Sequence, residues 1–328
     1  MRVVFMGTPE YAVPSLRELL IHHDVVAVLT QPDRRAGRGH KMQISPVKAL
    51  ALEAGVTVLQ PETLRIKRSA SAHDNSNVKE VRDYLARLDA DVFVVAAYGV
   101  ILPKAVLDMP RLGCINVHAS LLPKYRGASP IHAAIKDGET VTGITIMHMD
   151  EGIDTGDIIL QKELTIAPDE HTPSLHDRMA ALGGECIIKA LAQMEAGTAT
   201  RIPQDDRLSS YAPMIQKSDG LIDWAWPTER IINLTRAFDP WPGPFTMYGG
   251  EAIKIWRVEK AESAENAHPG MVLVVDQSKG ILVRTGDGGA WILEIQAAGG
   301  KRMATVDFLR GHNIGVGEYF KEDTNDKR

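Results

Sequence analysis

The stretch Met1-Arg-Val-Val-Phe-Met-Gly-Thr-Pro-Glu10, continued by Tyr11-Ala-Val-Pro-Ser-Leu-Arg-Glu-Leu-Leu-Ile-His-His-Asp-Val-Val-Ala-Val-Leu29, decides the fold. Val3–Met6 is an unbroken apolar run, as a strand covered on both faces requires. It stops at Gly7-Thr8-Pro9, and Val13, Leu16 and Leu20 then recur at helical spacing up to Ile21. Val25–Leu29 is apolar again. Strand, helix and strand in this order read as a βαβ unit, the signature of a parallel sheet flanked by helices.

The rhythm continues outward. Pro46–Ala54 is helical and Val56–Leu59 is a short strand. Asn77 is placed to cap a helix carrying Val81, Leu85 and Leu88, and the polar stretch Arg68–Asn77 before it reads as a surface insertion. Asp91-Val-Phe-Val-Val-Ala-Ala97 is a fully apolar strand, Leu102–Leu107 a helix and Cys114–His118 a further strand. Thr142–Met149 and Asp157–Ile166 are strands separated by an acidic, glycine-containing loop. A long helix starts at Thr172-Pro173, cap before proline, and runs toward Gly197. Residues 198–220 are polar and aperiodic. Beyond Leu221 come a helix over Thr228–Phe238, a turn rich in proline, tryptophan and glycine, and strand-like runs at Ile253–Val258, Met271–Val275, Ile281–Thr285 and Trp291–Ile295. The expected architecture is α/β. A Rossmann-like parallel-sheet N-terminal domain over 1–197 is joined by a linker, 198–220, to a smaller C-terminal β-barrel (OB-like) domain over 221–320, with a polar tail over 321–328. A length of 328 residues suits two domains of about 150 residues each.

Composition removes several classes. With 44% hydrophobic and 24% charged residues the chain is neither disordered nor membrane-spanning, since no apolar run approaches the ~20 residues a span needs. Met1–Met6 reads as strand rather than leader, and two cysteines, Cys114 and Cys186, make neither a disulfide framework nor a thiolate metal site. A reducing cytoplasm and a monomer are expected. The net charge of −5 gives no support for general polyanion binding. Its distribution is uneven. Residues 151–200 hold three basic against nine acidic residues, and residues 201–328 hold 16 against 18. Arg34–Leu52 instead carries five basic residues, Arg34, Arg35, Arg38, Lys41 and Lys48, and no acidic one.

The first strand–turn–helix lacks G-x-G-x-x-G, and Pro9 removes a backbone donor that a phosphate would use, so a dinucleotide site is disfavoured. Zinc spacings and a G-x-S-x-G elbow are absent. Asp150–Asp157 fails as a calcium loop, with Gly152 and Thr155 at positions needing a ligand and a turn glycine. His22, His23, His132, His148 and His171 read as structural or surface histidines. Asn116-Val-His118 is more informative. Alternation sends both polar side chains to one face at the carboxyl end of a strand, where open α/β sheets place their ligands. Two satisfied structural groups would give the same pattern. The segment that follows, Ser120-Leu-Leu-Pro-Lys-Tyr-Arg-Gly-Ala-Ser-Pro130, is a long aperiodic loop of the kind that serves a site.

The run Asn116–Pro130, together with Asp154 in Asp150-Glu-Gly-Ile-Asp-Thr-Gly156, resembles the formyltetrahydrofolate-dependent formyltransferases. The resemblance extends through Gly7–Glu10, Gln31-Pro-Asp-Arg34, Ala36-Gly-Arg-Gly39, Ser45-Pro-Val-Lys48, Ala97-Tyr-Gly99, Leu221-Ile-Asp-Trp224 and Arg236-Ala-Phe-Asp-Pro-Trp-Pro-Gly243, nearly the whole chain. It implies formyl transfer from 10-formyltetrahydrofolate, with Asn116, His118 and Asp154 as catalytic residues and no metal. By the same resemblance, folate runs along Ser120, Leu121, Leu122 and Pro123, its pterin between the Ala97–Leu102 segment and the backbone around Asp150. The basic loop Asp33–Lys41, through Arg34, Arg38 and Lys41, and the C-terminal motifs imply methionyl-initiator tRNA as acceptor, in translation initiation. Met214 stands where lysine is common in the family. The alternative acceptor is a small amine, an amino-sugar nucleotide or glycinamide ribonucleotide, which would not require the basic loop.

Overall fold

The apolar runs at Val3–Met6 and Val92–Ala96 become fully buried strands in the computed structural model, which describes residues 1–36, 41–66, 72–262 and 267–321. The chain divides into two compact units. The first takes Met1–Gly127, Val141–Thr165 and His176–Tyr211; the second takes Ala128–Thr140, Ile166–Leu175 and the chain from Ala212 onward. In chain order the elements up to residue 195 are β1 (Arg2–Gly7), α1 (Val13–His22), β2 (Asp24–Leu29), β3 (Arg34–Ala36), β4 (Lys41–Gln43), α2 (Pro46–Glu53), β5 (Val58–Leu59), α3 (Ala72–Arg87), β6 (Val92–Ala96), α4 (Lys104–Leu107), β7 (Cys114–His118), β8 (Arg126–Gly127), α5 (Pro130–Lys136), β9 (Val141–His148), β10 (Ile158–Thr165) and α6 (Thr172–Glu195).

The first unit is built on a seven-stranded sheet of order β10-β9-β7-β6-β1-β2-β5. The strands from β7 to β5 are parallel, whereas β9 runs antiparallel to β7 and β10 antiparallel to β9. The sheet is therefore mixed. The β9–β10 connection is too short for a crossover, and hairpin-type connections join antiparallel neighbours. Val4, Met6, Ala27, Leu29, Phe93 and Val95 form one core with Leu64, Leu85 and Val106. Val3, Phe5, Val28, Val94, Ile115 and Val117, alternating with the first set along the strands, are equally buried. Cutting one such side chain back to alanine costs about 2–5 kcal/mol, so both faces of the central strands contribute to the fold.

Two local expectations are corrected. Helix α3 is already formed at Ala72, so Asn77 lies inside it rather than at its cap, and of the polar insertion Arg68–Asn77 only residues 68–71 remain outside the described residues. The i,i+4 bond from Ser76 Oγ to Glu80 Oε1, 3.3 Å, supports the polar first turns. The run Ser120–Pro130, read as an aperiodic loop, holds the two-residue strand β8 and ends on the proline that opens α5.

The second unit holds α7 (Thr228–Ala237) and the strands β12 (Phe245–Tyr248), β13 (Glu251–Ala261), β14 (Val272–Asp276), β15 (Gly280–Arg284), β16 (Gly289–Gln296) and β17 (Met303–Ala304), with α8 (Thr305–Phe308); short β11 (Tyr211–Ala212) precedes them. The sheet is antiparallel, ordered β12-β13-β16-β15-β14 with β17 on β16. Its two edges meet the same segment. Met247 of β12 exchanges backbone bonds of 2.9 and 3.0 Å with Lys321, while Phe320 donates to Gly270 O (2.9 Å) and Val272 of β14 to Glu318 O (2.8 Å). Residues 317–321 thus close the sheet and leave neither edge open, the arrangement that removes unpaired edge strands. Of the expected tail, 321–328, Lys321 is instead bonded to Met247 as part of that closure, and residues 322–328 lie outside the described residues. No described helix is long and apolar enough to cross a membrane.

Candidate active site

Strand β7 presents Asn116 and His118 on one face at its carboxyl end. His118 is 5% exposed, and its Nε2 lies 2.9 Å from Tyr125 O. A carbonyl only accepts, so this nitrogen carries a hydrogen. The other ring nitrogen, Nδ1, lies 3.6 Å from Asp154 Oδ2. Each nitrogen thus faces an oxygen acceptor. Asn116 Nδ2 donates to Asp154 Oδ1 at 3.3 Å, and Gly127 N donates to Asp154 Oδ2 at 2.8 Å. The three side chains singled out in the sequence therefore meet, from segments 38 residues apart.

Asp154 reaches this position from a left-handed backbone, φ +54°, a region Asp tolerates better than most residues. Its carbonyl is held. Gln204 Nε2 donates to Asp154 O (2.9 Å) and Gly156 O (2.8 Å), while Gln204 Oε1 accepts from Arg126 Nε (3.0 Å) and Nη2 (2.9 Å). Arg126 also pairs with Asp206 at 2.8 Å and is only 9% exposed, so its charge is compensated where it is buried. At Gly156 a Cβ would come within 2.0 Å of His148 O, which reserves the position for glycine. Asp150 stays outside the cluster, accepting from Gly152 N and Thr155 Oγ1 to shape the turn.

The loop after His118 is pinned along its length. Thr145 Oγ1 accepts from Leu122 N (3.1 Å) and donates to Ser120 O (2.6 Å), and Gln161 Nε2 donates to Leu122 O (2.8 Å). Ser120 Oγ donates to Lys124 O, Ser210 Oγ accepts from Tyr125 N, and Leu122 packs with Met147 and Ile158. Of the four residues expected along folate, Ser120 and Leu122 are buried with internal partners, whereas Leu121 and Pro123 keep exposed surface.

A cavity of about 390 Å³, lined by Lys104, Leu107, Cys114, Met149, Asp150 and Glu151 among others, opens at the other end of β7. The backbone around Asp150 forms part of it as expected, while residues 97–102 do not line it; nor do Asn116, His118 and Asp154. In its wall, burial and then the nearby Arg201 guanidinium push the His148 imidazole down to about 4. Burial pushes the Cys114 thiol up to about 12. Both cysteines are free and buried, and no described group of His, Cys, Asp or Glu is arranged to hold a metal ion.

The basic segment is not wholly a loop: paired strands flank residues 37–40, which lie outside the described residues. Strands β3 and β4 pair Arg34 with Gln43 and Ala36 with Lys41. Arg34 is exposed; Lys41 is placed by its backbone, and Arg38 lies outside the described residues. Arg126, Gln204, Thr145 and Gln161 were not singled out in the sequence. Arg126 stands inside the quoted motif and was available there, whereas Gln204 lies in an aperiodic run with no local signal.

A family model described as "Formyl transferase" matches residues 1–191, and one described as "Formyl transferase, C-terminal domain" matches residues 214–313. The chain belongs to the formyl transferase family. It is 48% identical to the methionyl-tRNA formyltransferase of Caldanaerobacter subterraneus subsp. tengcongensis over 98% of this chain and 100% of that one. It is 46% identical to the methionyl-tRNA formyltransferase of Geobacter metallireducens over 96% and 97%. Among solved structures, an N-formyltransferase from Helicobacter canadensis superposes with TM-score 0.62 at 20% identity, covering 92% of this chain and 99% of that one. HypX from Aquifex aeolicus, solved with tetrahydrofolic acid, superposes with TM-score 0.57 at 17% identity, covering 97% of this chain and 51% of that one. Both share the fold.

Proposed function

We infer that this formyltransferase moves the formyl group of 10-formyltetrahydrofolate to the amino group of methionyl-initiator tRNA; its relatives at 46–48% identity over nearly their full length are named methionyl-tRNA formyltransferases. The observation that carries the chemistry is the meeting of Asn116, His118 and Asp154 at the carboxyl end of β7. The methionyl nitrogen attacks the formyl carbon, a C–N bond forms, and the carbonyl oxygen takes up negative charge. The bond from that carbon to N10 of the donor then breaks, and the proton lost by the amine goes to N10.

Asn116 has two amide hydrogens. One is on Asp154, and the other is available to the oxyanion. His118 supplies the second donor by turning its Nε2–H from Tyr125 O to the substrate. Each such donor is worth about 10²–10³ in rate. Asp154 orients both side chains and relays the amine proton through water. The formyl donor is held along Leu121 and Pro123, the two residues of that run that keep exposed surface next to His118 and its partners. Arg34, Arg38 and Lys41 meet phosphates at the acceptor end of the tRNA, and the C-terminal barrel is the second tRNA-binding element.

The test mixes the chain with 10-formyltetrahydrofolate and methionyl-initiator tRNA and follows blocking of the amine, with glycinamide ribonucleotide and an amino-sugar nucleotide as controls. Formylation of the tRNA and of neither small amine is expected. Comparable turnover of a small amine with the tRNA left unmodified overturns the reading.

A further inference from the structure

The β3–β4 hairpin pairs with no other strand among the described residues, and a lone two-stranded ribbon is only marginally stable. Its position depends on its root. Lys48, in the first turn of α2, donates through Nζ to Asp33 Oδ2 (2.6 Å) and to Gln60 Oε1 (2.7 Å). Gln60, just after β5, returns two bonds through Nε2, to Asp33 Oδ1 (2.8 Å) and to Gln31 O (2.9 Å). Three side chains from three segments close a ring in which both oxygens of Asp33, the residue before β3, are used. The Lys48 and Asp33 side chains are 17% and 23% exposed, so solvent screens this pair less than it screens a surface pair.

The exit of the hairpin is tied to the same place. Ser45 Oγ caps α2 by accepting from Lys48 N (3.1 Å) and lies 2.7 Å from Thr30 Oγ1 at the end of β2. Gln31 Nε2 in turn donates to Tyr98 O at 3.0 Å, and Gly99 (φ +74°) leaves room for it, since a Cβ there would lie 2.3 Å from that nitrogen. Of the five cations between Arg34 and Leu52, Lys48 is thus turned inward as a structural charge.

We propose that Asp33, Lys48 and Gln60 are positioning residues that clamp the root of the hairpin and so set its basic residues against tRNA, without acting on the formyl donor or on the chemical step. The proposal rests on the reading of the hairpin as a tRNA contact. None of the three is bonded to Asn116, His118, Asp154 or the pinned 120–127 loop, so their loss acts on one substrate only.

Kinetics of Lys48→Met and Gln60→Met, with tRNA and formyl donor varied separately, test it, with Lys48→Arg as rescue and Arg38→Leu as the control on the hairpin. In both methionine variants KM for methionyl-tRNA rises about tenfold, as expected for loss of charge-assisted bonds, while kcat and KM for the formyl donor stay within about twofold. Lys48→Arg restores most of the tRNA affinity. An unchanged tRNA KM in both methionine variants overturns the clamp, whether or not the melting temperature falls. So does an equal change for both substrates. If Arg38→Leu raises the tRNA KM while the clamp variants do not, the clamp fails and the hairpin reading stands; if Arg38→Leu is silent too, both fail.

Discussion

The loop Ser120–Gly127 and the hairpin Arg34–Gln43 follow strands of the same sheet, yet they are held in opposite ways. Along the loop, Thr145, Gln161, Ser210 and Asp154 each take a backbone group, and Leu122 is packed beneath. The hairpin strands bond to each other, and among the described residues side-chain bonds hold the two ends at Asp33 and Ser45. The difference follows from what each must do. Donors aimed at a developing charge need fixed geometry, because small misplacements cost large factors in rate. A polyanion is drawn by charge over several ångströms, so its contact needs a correctly placed root more than a rigid surface.

The sharpest way to break that contrast is Arg126→Ala. It removes both bonds to Gln204 and frees the side chain that holds the Asp154 carbonyl. We expect kcat to fall about 10- to 100-fold with KM for tRNA little changed, the size of effect seen when groups supporting a site are lost. Measured KM for tRNA rising at constant kcat would move Arg126 to the recognition side of the comparison. The clamp variants come next, with their effect confined to tRNA KM.

The smallest effect tests the cavity wall. His148 is held at about 4, below its ordinary 6.5, by burial and Arg201. A lowered value means the unfolded chain takes up the proton first, so this contribution is complete above pH 6.5 and is lost as pH falls from 6.5 toward 4. Melting temperatures across that range should decline less steeply for His148→Gln than for the parent chain. Parallel curves would show that His148 is not the group responsible.

Much of this organisation was legible because it is written in contiguous residues. The runs Val3–Met6 and Asp91–Ala97 announce buried strands by composition alone, and Asn116-Val-His118 places two donors on one face by alternation. Strand direction is not written that way, which is why β9 and β10 emerged antiparallel only in the structure. The closure of the barrel by residues 317–321 runs through backbone bonds and the packing of Phe320 on Trp224 and Tyr248, distant partners that no local period reports. Gln204 bonds to a carbonyl 50 residues away, and nothing in its neighbours reports that distance. The burial of Ser120 and Leu122 was likewise invisible, since a motif names positions without saying which side chains turn inward.

The most direct test measures single-turnover formylation of methionyl-initiator tRNA by His118→Ala, Asp154→Asn and the double variant, each checked for a native melting transition. Side chains that work as one group are strongly non-additive. The double variant should be no more than about threefold slower than the slower single one, with each single variant down about 10³. Losses that multiply in the double variant, or a His118→Ala chain that retains full rate, would contradict the account.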